Sequence, residues 1–284
     1  MRFGILFVLA VATACSPSTT DGERASTAPL EAVAQAIQSA STLRLEGTVE
    51  SDSSSDDDDP EHERKEFVML LDRSGRYLIA WKEEHSDGTH QDHAVWNAGE
   101  GPFMYDGNSW GAVQDEQFAL FRAGGGIGQT GFAIKQTFQP TDPAHIALYP
   151  LPITKFEDAG TDEIDGTPCR MFVYTYQDGV ELALWVEQDR PVFRAIHMDA
   201  RNLTLEVPAE MRETLTQEEL DSMPRTISFE SRETFTRFEL DADIPVSDFA
   251  FEVPDDATER TGDSEATGWE GFQSIPHGGA AHDR

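Results

Sequence analysis

The densest set of metal-ligand side chains in this chain is Glu83, Glu84, His85, Asp87, His90, Asp92 and His93. Imidazoles suit zinc or copper, so His85, His90 and His93 are the candidate ligands. The competing reading is a polar hairpin tip around Asp87-Gly88, because a loop has no periodicity to converge three ligands and no Cys assists. The run SDSSSDDDDP, Ser51 to Pro60, suggests calcium through its four adjacent Asp residues, but it lacks the alternating ligands and turn glycine of an EF-hand loop. It reads instead as a solvated hairpin loop, since an acidic, Ser-rich run ending in Pro suits no strand interior. Cys169 is either a nucleophile or a small buried hydrophobe; without a neighbouring cation or His to lower its pKa, the second reading prevails. Gly124-Gly125-Gly126-Ile127-Gly128 has no Gly-Lys-Ser/Thr and reads as a mobile loop, not a phosphate loop. Gly-x-Ser-x-Gly and His-Glu-x-x-His are also missing, and paired carboxylates say little in so acidic a chain, so no enzyme class and no cofactor is indicated.

The first residues carry a different chemistry. Arg2 precedes an apolar run from Phe3 to Val11, and small residues Ala12-Thr13-Ala14 stand directly before Cys15. The run is too short to span a bilayer, for which about 20 residues are needed, and reads as an export signal over 1–14. The junction resembles a bacterial lipobox, in which the Cys is lipidated and becomes the first mature residue. Ala12 stands where that pattern favours Leu, which keeps ordinary signal cleavage or an uncleaved anchor as alternatives. Acylated Cys15 would hold the chain at a membrane, each buried CH₂ being worth about 0.8 kcal/mol. Ser16 after the Cys resembles the pattern sent to the outer membrane, facing the periplasm.

Fifty-three acidic residues against 21 basic ones give a formal charge of −32, with four lysines. Such a surface repels nucleic acid and anionic lipid headgroups. The acidity runs along the whole chain and Lys is scarce while Arg is kept, as in a protein adapted to a saline medium. After Cys15 one cysteine remains, so no internal disulfide supports the fold.

Positioning falls to short strands. A tether over 15–28 leads to a helix at Leu30 to Ala40, with Leu30, Val33, Ala34 and Ile37 on one face. Strands follow from Leu43, at Phe67 to Leu71, Tyr77 to Lys82 and Ala94 to Asn97, and Phe103-Met104-Tyr105 leads into a tight turn at Asp106-Gly107. Gln114 to Arg122 can be helical, and residues 129–155 read as short helices and loops. Arg170 to Tyr176 and Glu181 to Glu187 flank the hairpin signal Asp178-Gly179 and continue to a third strand ending at Ile196. Thr216-Gln217-Glu218-Glu219 opens a short helix that Pro224 ends. Strands at Thr226 to Ser231, Thr234 to Leu240 and Phe249 to Val253 complete the domain, 29–254, and 255–284 reads as a disordered acidic tail. The expected fold is mainly β (α+β), a strongly curved antiparallel sheet with helices on one face.

The order of these elements resembles the Lol-type superfamily of bacterial envelope proteins, which includes the lipoprotein carrier LolA and the receptor LolB. The resemblance covers roughly residues 29–254 and looks nearest to a branch of predicted periplasmic proteins of unknown function. It rests on the opening helix, on Phe103-Met104-Tyr105-Asp106-Gly107-Asn108, on Ile164-Asp165-Gly166-Thr167-Pro168-Cys169, on Leu184-Trp185-Val186 and on the closing Ile244 to Pro254. The resemblance implies an incomplete β-barrel whose concave face is apolar, covered by helices, and able to hold a lipid, a lipoprotein acyl chain or another hydrophobic ligand without covalent chemistry. Candidate lining residues are Ile79 and Trp81, Phe172 and Tyr174, and Trp185, each equally readable as core packing. A metal-binding envelope protein, and a sensor or structural partner whose cavity its own helices fill, are the alternatives.

Overall fold

A computed structural model describes residues 27–55, 60–84, 88–113, 116–138, 153–176, 179–204 and 226–260. Helix α1 (Ala28–Ser39) begins at the Pro29 turn and buries Leu30, Val33 and Ile37, the stripe expected of it. Twelve strands among the described residues join in one sheet: β1 (Thr42–Ser55), β2 (Glu61–Asp72), β3 (Tyr77–Glu84), β4 (His90–Asn97), β5 (Phe103–Tyr105), β6 (Ser109–Ala112), β7 (Ile153–Ile164), β8 (Thr167–Tyr176), β9 (Glu181–Glu187), β10 (Phe193–Thr204), β11 (Thr226–Leu240) and β12 (Thr258–Glu259). Their spatial order is β12-β6-β5-β4-β3-β2-β1-β11-β10-β9-β8-β7. All neighbours are antiparallel except β12, which lies parallel to β6. The sheet curves without closing, and α1 and α2 (Glu116–Phe138) lie against its concave face.

Several expectations are corrected. Ser51 to Ser55 is strand, not loop: Ser51 to Ser53 pair with both β2 and β11, Ser54 and Ser55 with β11 alone, and the polar side chains keep access to water. The Asp56 to Asp59 run lies outside the described residues. The glycine run is not a loop but the middle of α2, broken at Gly128 where φ is 76°. An ideal Cβ at Gly126 would lie 2.2 Å from the Trp81 ring, and one at Gly128 2.4 Å from the Glu233 carboxylate, so missing side chains let the helix touch the sheet. The two strands expected at Thr226 to Leu240 are one, with a bulge opposite Glu46-Gly47 that keeps both Phe235 and Phe238 facing inward. Residues 153–164, not foreseen as strand, form β7, an acidic and largely exposed edge with two register shifts. Phe249 ends a short 3-10 turn rather than starting a strand. Residues 251–260 strap the outer face, where Phe251 and Val253 join Trp96, Tyr105 and Trp110, and Arg260 pairs with Asp106. The fold thus runs past Pro254. The signal segment, Cys15, the tether up to Ser26, the Thr216 helix and 261–284 lie outside the described residues, and α1 begins inside the expected tether at Ala28.

Candidate functional site

The concave face is built of lateral rows, because residues opposite one another on neighbouring strands share a face. The first row is Leu240, Leu43, Leu71 and Tyr77; the second is Phe238, Leu45, Met69, Ile79, Val95 and Met104. The third is aromatic: Phe235, Gly47, Phe67, Trp81 and His93. Gly47 carries no side chain, and the rings of Phe67 and Phe235 meet edge to face across it at 6.1 Å. His93 stacks on Trp81 at 5.1 Å, and burial holds its imidazole pKa below the usual value against the pull of Glu83. A fourth row is ionic: Glu233, Val49, Lys65 and Glu83, with Lys65 paired to Glu63 at 2.9 Å. The glycine run of α2 crosses the boundary between these last two rows, over Trp81 and Glu233.

On the β8 to β10 side the same face stays apolar. Phe156, Phe172 and Tyr174 cluster, with ring centres 6.0 and 4.8 Å apart, beside Leu182, Leu184 and Ile196. Tyr176, Leu182, Met198, Ala200, Leu203 and Phe229 extend this wall. Several of these, including Phe156, Tyr174, Leu182 and Phe229, are half-buried. Burial pushes the Tyr174 phenol up to about 12.

The helices are held by one side chain. Arg73, in the β2–β3 turn, donates from Nε to the Ala40 carbonyl at 2.8 Å and from its terminal nitrogens to the carbonyls of Ile37, Gln38 and Phe138. It therefore satisfies carbonyls at the C-terminal ends of both α1 and α2, and its guanidinium stacks 4.0 Å from the Phe138 ring centre.

Of the residues singled out in the sequence, Ile79, Trp81, Phe172 and Tyr174 come together on the concave face. Trp185 does not: it lies on the outer face with Ile164, Cys169 and Ala195, donating from Nε1 to Asp162 at 2.9 Å. Cys169 is fully buried in that small cluster, and burial raises its thiol pKa, as suits the packing role. His90 and His93 are three positions apart on β4 and so face opposite sides of the sheet; His85 lies outside the described residues. No group of three acidic, His or Cys side chains among the described residues is placed to hold a metal ion. The sequence reading missed Arg73, the ionic row, Tyr77 and Lys135. One signal was available for the last: Lys135 is among only four lysines and sits in the amphipathic stretch Gly131 to Phe138.

The chain matches no protein-family model and no curated protein. Among solved structures it is similar to the Mycobacterium tuberculosis lipoprotein LppX, at 10% identity and a TM-score of 0.39 over 77% of this chain and 96% of that one. It is similar to LprF from Mycobacterium bovis, at 9% identity and a TM-score of 0.39 over 81% and 96% of the two chains. A third is a LolA superfamily protein from Nitrosomonas europaea, at 12% identity and a TM-score of 0.28 over 79% and 97% of the two chains.

Proposed function

We propose that this is a bacterial envelope lipoprotein, exported by residues 1–14 and anchored through acylated Cys15 to the outer membrane, facing the periplasm. Its half-barrel holds a lipid, a lipoprotein acyl chain or another hydrophobic ligand without covalent chemistry. The observation that carries this reading is the half-buried apolar wall of Phe156, Tyr174, Leu182 and Phe229, continuous with the buried rows that hold Ile79 and Trp81. Apolar surface left part-open on a concave face is a binding surface. A twelve-carbon chain laid there would gain roughly 10 kcal/mol at about 0.8 kcal/mol per CH₂, before the costs of association. Among the described residues no helix is long and apolar enough to cross a membrane, so attachment in this reading falls to Cys15.

The test is displacement of a fluorescent fatty-acid probe. Tyr174→Ala is expected to weaken binding about tenfold, and Trp185→Phe, on the outer face, to leave it unchanged. Equal effects of the two changes would count against the concave wall. A second reading has its own support: Leu120, Ala123, Ile127, Ile134 and Phe138 of α2 are fully buried against the sheet, so the helix itself fills part of the space. A sensor or structural partner filled in that way would bind no probe at all.

A further inference from the structure

At the end of the concave face beneath the Arg73 turn, a charge on α2 faces the first apolar row. Lys135, near the C-terminal end of α2, is only 2% exposed, and its Nζ stands 5.7 Å from the centre of the Tyr77 ring. Among the described residues no hydrogen bond or ion pair meets that ammonium. Tyr77 is 1% exposed, and its hydroxyl also lacks a partner at hydrogen-bond distance. The kink at Gly128 brings Glu116, from the other end of α2, to the same place. Its carboxylate acts on both groups electrostatically and lies near enough to draw on the Tyr77 hydroxyl hydrogen from beyond ordinary hydrogen-bond distance, without closing an ion pair with Lys135. Burial lowers the Lys135 pKa to about 8 in spite of Glu116, so the charge is poorly compensated where it sits.

A buried ammonium and a buried hydroxyl that share one carboxylate at more than hydrogen-bond distance are costly in an apolar interior, and both are donors that a closer acceptor would satisfy. Ile79, two residues along β3 from Tyr77 and on the same face, opens the second apolar row directly beside them. We propose that Lys135 and Tyr77 are the head-group end of the ligand site, receiving the carboxylate of a fatty acid whose chain lies along the apolar rows. This rests on the hydrophobic-ligand reading above and narrows it to an acyl chain with an anionic head. Lys135 supplies the charge and Tyr77 a second donor, so that both carboxylate oxygens are met.

The test is calorimetric titration of the full chain, with Cys15→Ser to keep its own acyl groups away, using dodecanoate and 1-dodecanol below their aggregation limits. The wild-type site is expected to prefer dodecanoate at least tenfold. Lys135→Met should bring the ratio to about one while dodecanol binding persists, and Tyr77→Phe should lower it in part. At pH 8.5 dodecanoate binding to the unsubstituted site should also take up protons, read from the buffer dependence of the heat, because the anion returns a proton to Lys135. Equal binding of the two probes, a ratio unmoved by Lys135→Met, or binding without proton uptake overturns the proposal and leaves the hydrophobic site standing. Binding of neither probe overturns both.

Discussion

Among single residues, Lys135 makes the sharpest claim on stability. Its pKa in the fold is about 8, against an ordinary 10.5, so between those values the unfolded chain holds the proton more tightly. The contribution of this group is therefore complete above about 10.5 and lost as pH falls through about 8. Wild-type stability should rise across that window, and Lys135→Met should flatten the rise and stabilise the empty protein at pH 7 by about 1–3 kcal/mol. Thermal unfolding followed from pH 7 to 10.5 checks both; a less stable variant would mean the ammonium is satisfied. His93 acts at the other end of the scale. Its pKa is also depressed, so its contribution is full above the ordinary 6.5 and is lost as pH falls through its lower folded value. Neither role was legible in the sequence, where His93 stood out as one of three clustered histidines and Lys135 only as one of four lysines. Burial decided both, set by strand register for His93 and by the packing of α2 on the sheet for Lys135, and each depends on partners far along the chain. Cys169 was legible, because a thiol without nearby cations at the start of an apolar strand has one economical place to go.

The strands of the central meander were plain from their residues: β8 and β9 begin and end close to the β-branched and aromatic runs, and they pair around the Asp178-Gly179 signal. What escaped were elements whose cause is a contact. Ser51 to Ser55 is strand because β11 pairs with all of it and β2 with its first three residues, and β7 is strand despite its acids because β8 supplies a partner. Charges on such an edge also discourage further pairing. The glycine run of α2 lies against the sheet, where Trp81 leaves no room for a side chain at Gly126 and Glu233 none at Gly128. Gly126→Ala is thus expected to lift α2 from Trp81, costing about 1–3 kcal/mol and altering tryptophan fluorescence. Unchanged stability and emission would place the helix further from the sheet than described. Arg73→Ala should free the carbonyls at both helix ends, destabilise by about 1–3 kcal/mol, and speed amide hydrogen exchange in the last turns of α1 and α2 together. Faster exchange in one helix alone would contradict a shared clasp.

Over the whole molecule, a charge of −32 repels itself and is screened by salt. The melting temperature should climb as sodium chloride rises from low to molar concentration, and a steady fall would remove the saline reading. The half-barrel plan was visible in the order of elements, whereas the face that turns inward was not. Alternation gives each strand two faces, and only the seating of α1 and α2 distinguishes the wall of Phe172 and Tyr174 from that of Trp185. The central claim is that the concave wall holds an acyl ligand. It is tested most directly by native mass spectrometry and solvent extraction of the chain purified with Cys15→Ser. The account predicts one bound acyl species per chain, released on extraction with a loss of thermal stability. A chain that is empty as purified, and as stable after extraction as before, would contradict it.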